Sequence, residues 1–238
     1  MRMKKIYKKD NDFIKLFLLT VVIVLSACGT ENIVKESPKT LDGIQRILIL
    51  PFEDMSVVYG ENKEVICPIC GKVFTTGRTT KGAAEMLTEH LFMLLSKRKD
   101  IKLIPSSYAQ GVMSDLLAGS KKEFNEKDLA IETGRTLHAD AVLAGFLYRY
   151  QDRVGNEYSV DLPASVAFDI HLIRVKDGRV LWSGHFDETQ RPLSENLFRL
   201  GTFLQRKGRW ITAKQMAISG LEDMLKTFPG PKNTISKP

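Results

Sequence analysis

The sequence has few cysteines, no regular glycine or proline pattern and no apolar run long enough for a membrane-spanning helix. Three cysteines in 238 residues are too few for a disulfide-built scaffold. The 17 glycines and 9 prolines follow no period, which excludes a collagen-like chain. A phosphate-binding loop, a nucleophile elbow and a Gly-x-Gly-x-x-Gly motif are also missing. What is left is a globular chain whose 43% hydrophobic content can form one sizeable core.

The positive charge of the chain is concentrated at its amino terminus. The formal net charge is +7, and residues 1–27 contribute +4 of it through six basic and two acidic side chains. The rest of the chain is only mildly basic. Charge therefore does not indicate a nucleic-acid partner, and we predict none.

Residues 1–27 have the pattern of a secretory signal peptide. Basic residues precede the apolar run 16–25, which is about half of the roughly 20 residues that a spanning helix needs. The run ends in Leu25-Ser26-Ala27-Cys28-Gly29, which resembles the lipobox of bacterial lipoproteins. An ordinary cleaved signal and an uncleaved anchor are the alternatives.

The lipobox resemblance implies a membrane anchor. In that family the cysteine receives a diacylglycerol thioether and becomes the mature amino terminus, so Cys28 would carry two or three acyl chains, enough for stable anchoring. Gly29 after the cysteine, rather than aspartate, implies the outer membrane of a Gram-negative cell. We expect the body of the protein to face the periplasm, although the sequence does not decide between the two leaflets.

Polar segments flank a single predicted domain. Residues 28–43 are polar and lack any helical or strand period, which is typical of a flexible tether, and residues 229–238 have the composition of a disordered tail. The periodic segments lie in residues 44–228, with an insertion at 60–78.

The pattern of apolar residues predicts an α/β domain. The continuous apolar run 47–52 indicates a central strand covered on both faces. Alternating segments on either side of Asp177-Gly178 indicate a hairpin within an antiparallel meander. Further strands are predicted at 101–104, 141–150, 166–172 and 180–186, and helices at 80–97, 108–117, 128–138 and 211–228. The expected fold is a single two- or three-layer domain with a mixed sheet, in the order β-α-β-α-α, three-stranded meander, C-terminal helix.

Three motifs in residues 44–190 resemble the TolB amino-terminal domain and its lipoprotein relatives. They are Arg46-Ile-Leu-Ile-Leu-Pro-Phe52 with Glu53-Asp54, Leu137-His-Ala-Asp-Ala-Val-Leu-Ala-Gly145 and Asp177-Gly-Arg-Val-Leu-Trp-Ser183. The relatives include LpoB-type activators of penicillin-binding proteins and the curli secretion lipoprotein. The resemblance implies a lipid-anchored, non-enzymatic binding or adaptor module that docks onto an envelope protein complex.

The same resemblance leaves an oligomeric alternative, because the group contains pores as well as adaptors and the fold does not name the function. A homo-oligomer resembling the curli pore would need long alternating strands and an inserted hairpin. Residues 151–163 are polar and show no hairpin pattern, so the pore is the less favoured interpretation.

The segment Cys67-Pro68-Ile69-Cys70-Gly71-Lys72 resembles one knuckle of a zinc ribbon. A tetrahedral zinc site needs four ligands, so the two thiols need a histidine brought near or two further thiols from a second chain. The candidate histidines are His90, His138, His171 and His185. A tight disulfide, an idle dithiol and a redox pair remain open, because an extracytoplasmic compartment favours oxidation. A redox pair would be expected at a helix amino terminus directly after a strand, which is not the context here.

The histidines otherwise indicate ordinary structural roles. His90 falls on the apolar stripe of its helix and is expected to pack there. His171 and His185 fall on strand faces opposite Phe168 and Trp182, so they could be cross-strand neighbours. We expect a solvated polar face at these two histidines, with a surface metal or acid–base site as the alternative.

Basic and aromatic residues predict a surface for a partner. Arg206, Arg209 and Trp210 lie between the last strand and the final helix, and Trp182 is a large apolar residue of the meander. Tryptophan and arginine are favoured at the centre of protein interfaces, so these four residues are candidates for partner binding. A solvated pair of helices is the alternative.

Overall fold

Ten strands and five helices follow one another in residues 40–119, 124–190 and 209–230, the parts of the chain that this computed structural model describes. The strands are β1 (Arg46–Ile49), β2 (Glu53–Asp54), β3 (Glu64–Ile66), β4 (Val73–Thr75), β5 (Lys102–Ile104), β6 (Ala141–Gln151), β7 (Val154–Gly155), β8 (Val160–Leu162), β9 (Ser165–Arg174) and β10 (Val180–Thr189). The helices are α1 (Met55–Tyr59), α2 (Ala83–Leu95), α3 (Ser106–Gly119), α4 (Glu126–Thr136) and α5 (Ala213–Leu225). The predicted α/β order is confirmed, with short elements added in the two connections at β2–β4 and β7–β8.

The main sheet is mixed, with the strand order β10-β9-β6-β1-β5. Strand β1 is parallel to β5 and β6, while β9 is antiparallel to β6 and β10 is antiparallel to β9. Ile47 and Ile49 point into one core, and Leu48 and Leu50 into the other. The predicted central strand with both faces covered is therefore confirmed.

The two faces of the sheet have different coverings. Helices α2 and α5 pack on one side, which we call the helical face, with Leu87, Leu91 and Leu221 among its buried residues. On the other side lie α3, α4 and the hairpin β3–β4, and we call the part under this hairpin the knuckle face. The domain consequently has three layers.

Local chemistry explains where several elements begin. Helix α5 follows Thr212, its N-cap, which forms a reciprocal capping box with Gln215, and Asn125 caps α4.

Close packing requires a glycine in the middle of β6. A Cβ at Gly145 would lie 2.6 Å from a ring carbon of Phe52. Only glycine leaves room for that aromatic ring mid-strand.

Residues 151–163 do contain a hairpin, so the prediction of a plain polar loop is wrong. Strands β7 and β8 pair antiparallel around a turn in which the Asn156 side chain accepts hydrogen bonds from the amides of Tyr158 and Ser159. Gly155 has a φ of +116°, which disfavours other residues. Turn chemistry, and not an apolar pattern, determines this element.

The two ends of the described domain meet. Thr40 and Gly230 form an isolated parallel bridge, and the amide of Leu41 donates to the carbonyl of Gly230 at 3.2 Å. Leu41 is buried in the helical-face core. The packed part of the chain thus begins slightly before residue 44 and extends slightly past 228.

No helix within the described ranges is both long and apolar enough to cross a membrane. The predicted signal peptide, Cys28 and Arg206 all lie outside the residues that the structure describes.

Candidate metal centre

Cys67 and Cys70 lie in the connection between β3 and β4, which has the shape of a knuckle. The Cys67 amide donates to the Lys72 carbonyl at 2.8 Å, and the amide of Gly71, with a φ of +77°, donates to the Cys67 carbonyl at 3.0 Å. The amides of Ile69 and Cys70 are directed at Cys67 Sγ, at 3.4 and 3.5 Å. The turn therefore holds the Cys67 sulfur in place with two amide donors directed at it.

The hairpin lies against the sheet through alternate side chains. Val65 and Phe74 are buried, whereas Ile66 and Val73 are exposed. The Phe74 ring stacks on Tyr148 of β6, with ring centroids 4.1 Å apart and nearly parallel planes. This packing places the inner side of the knuckle, including the buried Cys67, on the sheet.

At the base of the hairpin, polar contacts hold its last residues. The amide of Gly77 donates to the carbonyl of Tyr148 at 2.9 Å, and Arg149 Nη1 donates to the carbonyl of Thr75 at 3.0 Å. The same guanidinium also bonds Ser165 and forms an ion pair with Asp187. The base of the hairpin is therefore tied to β6, β9 and β10.

Four metal-ligating side chains converge where the turn end of the hairpin meets β9. The ligand atoms of Cys67, Cys70, Asp169 and His171 all lie within 4.8 Å of one another. Cys67 Sγ is 3.2 Å from His171 Nε2, which is 3.1 Å from Asp169 Oδ2. Cys67, Asp169 and His171 are buried and Cys70 is exposed, so solvent reaches the cluster from the side of Cys70.

Neighbouring side chains orient the histidine and the carboxylate. Ser183 Oγ lies 2.8 Å from His171 Nδ1, which leaves Nε2 directed at the cluster. The Tyr148 hydroxyl donates to Asp169 Oδ2 at 3.2 Å. Asp169 Oδ1 is buried and has no hydrogen-bond partner in the structure. A buried carboxylate oxygen without a partner is costly, so this atom calls for a further cationic or donor group.

The electrostatics of the cluster favour charge at His171. Burial, the largest single influence, lowers the pKa of His171, but hydrogen bonds to Asp169 and Cys67 and the charge of Asp169 together raise it to about 9. The pKa of Tyr148 is also raised, first by burial and then by Asp169. At His185, burial and the nearby Lys72 lower the pKa. Positive charge is therefore favoured at His171 and disfavoured at its neighbour His185.

His171 and His185 are cross-strand neighbours, as predicted, with ring centroids 5.7 Å apart. The expectation of a solvated polar face is wrong for His171, whose side chain is fully buried under the hairpin together with that of Asp169. Of the other candidate histidines, His90 is half-buried on α2 and His138 is exposed after α4. His171 is the candidate that the fold brings to the dithiol.

The arrangement does not suit nucleophilic catalysis. A thiolate–histidine–carboxylate triad uses the two ring nitrogens separately, one for the nucleophile and one for the acid. Here Cys67 and Asp169 both contact Nε2 of His171. The cysteines lie in a hairpin turn, and a helix amino terminus, where thioredoxin-type pairs sit, does not follow them. Both are free thiols in the structure.

The residues predicted for partner binding separate into two groups. Trp182 is only 2% exposed, its indole Nε1 donates to Thr227 Oγ1 at 3.1 Å, and its ring packs edge-on against Phe228. Its role as a partner anchor is therefore wrong, because a ring of this size in the meander fills the core under α5.

Arg209 and Trp210 border the hairpin β7–β8. Arg209 is exposed, forms an ion pair with Glu157 at 3.1 Å, and has its guanidinium 5.7 Å from the Tyr158 ring centroid. The amide of Trp210 donates to the Glu157 carbonyl at 2.9 Å. We call Glu157, Tyr158, Arg209 and Trp210 the β7–β8 surface. Sequence reasoning missed Tyr158, which is 70% exposed, because the hairpin itself was not predicted.

Neither a scan of protein-family models nor a search of curated proteins finds a match to this chain. A search of solved structures does find matches. The PelC dodecamer from Paraburkholderia phytofirmans is similar at 15% identity, with 80% of this chain and 91% of that chain covered and a TM-score of 0.44.

Two further structures are also similar. The LpoB C-terminal domain from Escherichia coli matches at 18% identity, covering 63% of this chain and 88% of its own, with a TM-score of 0.37. Lipoprotein GNA1162 from Neisseria meningitidis matches at 16% identity, covering 68% and 96%, with a TM-score of 0.38. An LpoB domain is thus among the structures that this chain resembles, as expected, and at these identities the function has to be argued from the chain's own residues.

Proposed function

We propose that the protein is a lipid-anchored, non-enzymatic binding module that docks onto a protein complex of the cell envelope. The observation that carries this proposal is the segment Leu25-Ser26-Ala27-Cys28, which ends a short apolar run after a basic amino terminus. Acyl chains on Cys28 would hold the protein in the outer membrane, with its folded domain in the periplasm.

The β7–β8 surface supports the binding role. Tyrosine, tryptophan and arginine are enriched among the residues that dominate binding energy, and all three occur here side by side. Glu157 and the Tyr158 ring hold the guanidinium of Arg209 in place. A preorganised arginine loses less entropy when it binds, so this surface is suited to a protein partner.

Lipidation is tested by metabolic labelling of the full chain with an alkyne-bearing palmitate in a Gram-negative host. We expect label on the wild-type protein and on Cys70→Ser, which removes a different cysteine, and none on Cys28→Ser. The labelled protein should fractionate with the outer membrane. An unlabelled wild-type chain, or label that survives Cys28→Ser, would contradict the anchor.

Docking is tested separately with a photo-crosslinking amino acid placed at Tyr158 or Trp210 in living cells. Tyr108, which is exposed on α3, is the matched control position. We expect a discrete adduct with an envelope protein from the first two positions and not from the third. A ring of this chain alone, seen by light scattering in detergent with adducts only to itself, would instead favour the oligomeric alternative.

A further inference from the structure

We propose that Cys67, Cys70, Asp169 and His171 of one chain bind a single Zn²⁺, and that the ion fastens the turn of hairpin β3–β4 to strand β9. The site goes beyond the binding role proposed above, and neither depends on the other. Zinc would be structural here, because all four tetrahedral positions are supplied by the protein.

The donor set fits zinc better than a hard cation. Two thiolates and one imidazole are preferred by Zn²⁺, whereas Mg²⁺ and Ca²⁺ take oxygen ligands. Ligand atoms around a tetrahedral zinc lie about 3.5 Å apart, given bond lengths of roughly 2.0 to 2.3 Å. The Cys67–His171 and His171–Asp169 separations are already 3.2 and 3.1 Å, and all four ligand atoms lie within 4.8 Å of one another. Side-chain rotation alone can therefore close the site.

Asp169 supplies an independent reason to expect a cation. Its Oδ1 atom is buried and unpartnered, in a side chain with no solvent exposure. A divalent ion bound by the adjacent thiolates would compensate the charge of this buried carboxylate, whichever of its two oxygens binds the ion. Metal-bound imidazoles usually make a hydrogen bond through the ring nitrogen that does not bind the metal. Ser183 Oγ, 2.8 Å from Nδ1 of His171, is placed to make that bond.

The hairpin also needs an attachment at its turn. Strands β3 and β4 have three residues each, and a two-stranded hairpin of that length is marginal in water. The contacts of Thr75 and Gly77 hold its base, at the opposite end from the cysteines. An ion between the knuckle and β9 would hold the turn end.

The alternatives use fewer of the converging groups. A Cys67–Cys70 disulfide would consume both sulfurs and leave the buried Asp169 carboxylate without a metal cation beside it. A metal shared by the dithiols of two chains would leave Asp169 and His171 unused. Only a site within one chain accounts for all four side chains.

The experiment measures zinc on the full chain, purified in detergent with reductant. We expect one Zn²⁺ per chain by elemental analysis, and a competition titration against a chromophoric chelator gives its affinity. Cobalt substitution should produce the visible bands of a tetrahedral site together with thiolate charge-transfer absorption. These readouts do not depend on any activity of the protein.

Variants assign the ligands. Cys70→Ser changes an exposed residue and is expected to fold. Cys70→Ser and His171→Gln, each as a single variant, should weaken zinc binding by at least about a hundredfold. Asp169→Asn should weaken it about tenfold and shift the cobalt spectrum. His138→Gln and Asp115→Asn change exposed residues outside the cluster and should bind zinc as the wild type does. Circular dichroism establishes that each variant is folded.

Four results would overturn the proposal. The first is that the reduced chain binds no zinc, and the second is that a dimer holds half an equivalent of zinc per chain and dissociates with a chelator. The third is that both Asp169→Asn and His171→Gln bind zinc as the wild type does. The fourth is that protein taken from the envelope, with its free thiols trapped, contains a Cys67–Cys70 disulfide. The second result would place the ion between two chains, and the last would make the pair structural without metal.

Discussion

The two faces of the sheet stabilise their coverings in different ways, and strand β9 shows the difference most clearly. Phe168, Ile170 and Leu172 point to the helical face, where they pack against α2 and α5. Asp169 and His171, on the other side of the same strand, point to the knuckle face. A helix of 13 residues is held mainly by the burial of its apolar face, whereas the small hairpin β3–β4 depends more on directional bonds.

The largest expected effect comes from breaking the apolar packing of the helical face. Phe168 is fully buried between Phe52 and Phe186, so Phe168→Ala should lower the free energy of unfolding by about 3 to 5 kcal/mol. Phe74→Ala removes a ring of the same size from the knuckle face and should cost less, because the hairpin can detach while the helices remain packed. Urea unfolding of both variants checks the order, and equal costs would remove the distinction between the faces.

Metal removal should act on the knuckle face selectively. With free zinc at one hundred times the dissociation constant, binding adds about 2.7 kcal/mol to the stability of the native state. A chelator should therefore lower the urea midpoint. Hydrogen exchange should show faster exchange first in β3 and β4, with the amides of α2 and α5 still protected. Uniform loss of protection would contradict this selectivity.

Two glycine substitutions probe how tightly each side is packed. A Cβ at Gly220 of α5 would lie 2.5 Å from a Phe186 ring carbon, so Gly220→Ala should cost about 1 to 3 kcal/mol. Gly111 of α3 has nothing within 4 Å, and Gly111→Ala should gain up to about 1 kcal/mol from helix propensity. Thermal unfolding temperatures of the two variants check these opposite effects. A lower unfolding temperature for Gly111→Ala would contradict the free space at this position of α3.

The smallest effect concerns Tyr150 and appears only at alkaline pH. Burial, and then the charge of Asp152, raises the pKa of Tyr150 from 10.0 to about 12. The raised pKa stabilises the folded state fully below pH 10, and this contribution is lost as the pH rises towards 12. Tyr150→Phe should therefore lose less stability than the wild type over that interval. Unfolding midpoints measured across the interval decide the point.

The framework of the fold could be predicted from the sequence because its elements have strong local patterns. The apolar run of β1, the helical spacing of α2 and α5 and the alternation in β6, β9 and β10 each reflect burial on defined faces. The hairpin β7–β8 has strands of two and three residues, too short to show any alternation. Its signals were Gly155 and Asn156, which indicate a turn but not the pairing around it.

The candidate site could be predicted only in part. Cys67 and Cys70 are recognisable because their spacing is local, but the contact between the hairpin and β9 spans about a hundred residues and has no local signal. Asp169 and His171 alternate with apolar residues as they would on a solvated face, because alternation does not distinguish water from a polar covering. Trp182 illustrates the converse, since the size that favours an interface also favours a core.

If Cys28 is acylated as proposed, the bridge between Thr40 and Gly230 sets how far the domain can lie from the bilayer. Both ends of the packed chain leave from this one point. With an acylated Cys28, the twelve residues from there to Thr40 span at most about 40 Å even when fully extended. The point of attachment could then rise no higher than that above the lipid headgroups, and a partner would be met within that distance plus the width of the domain.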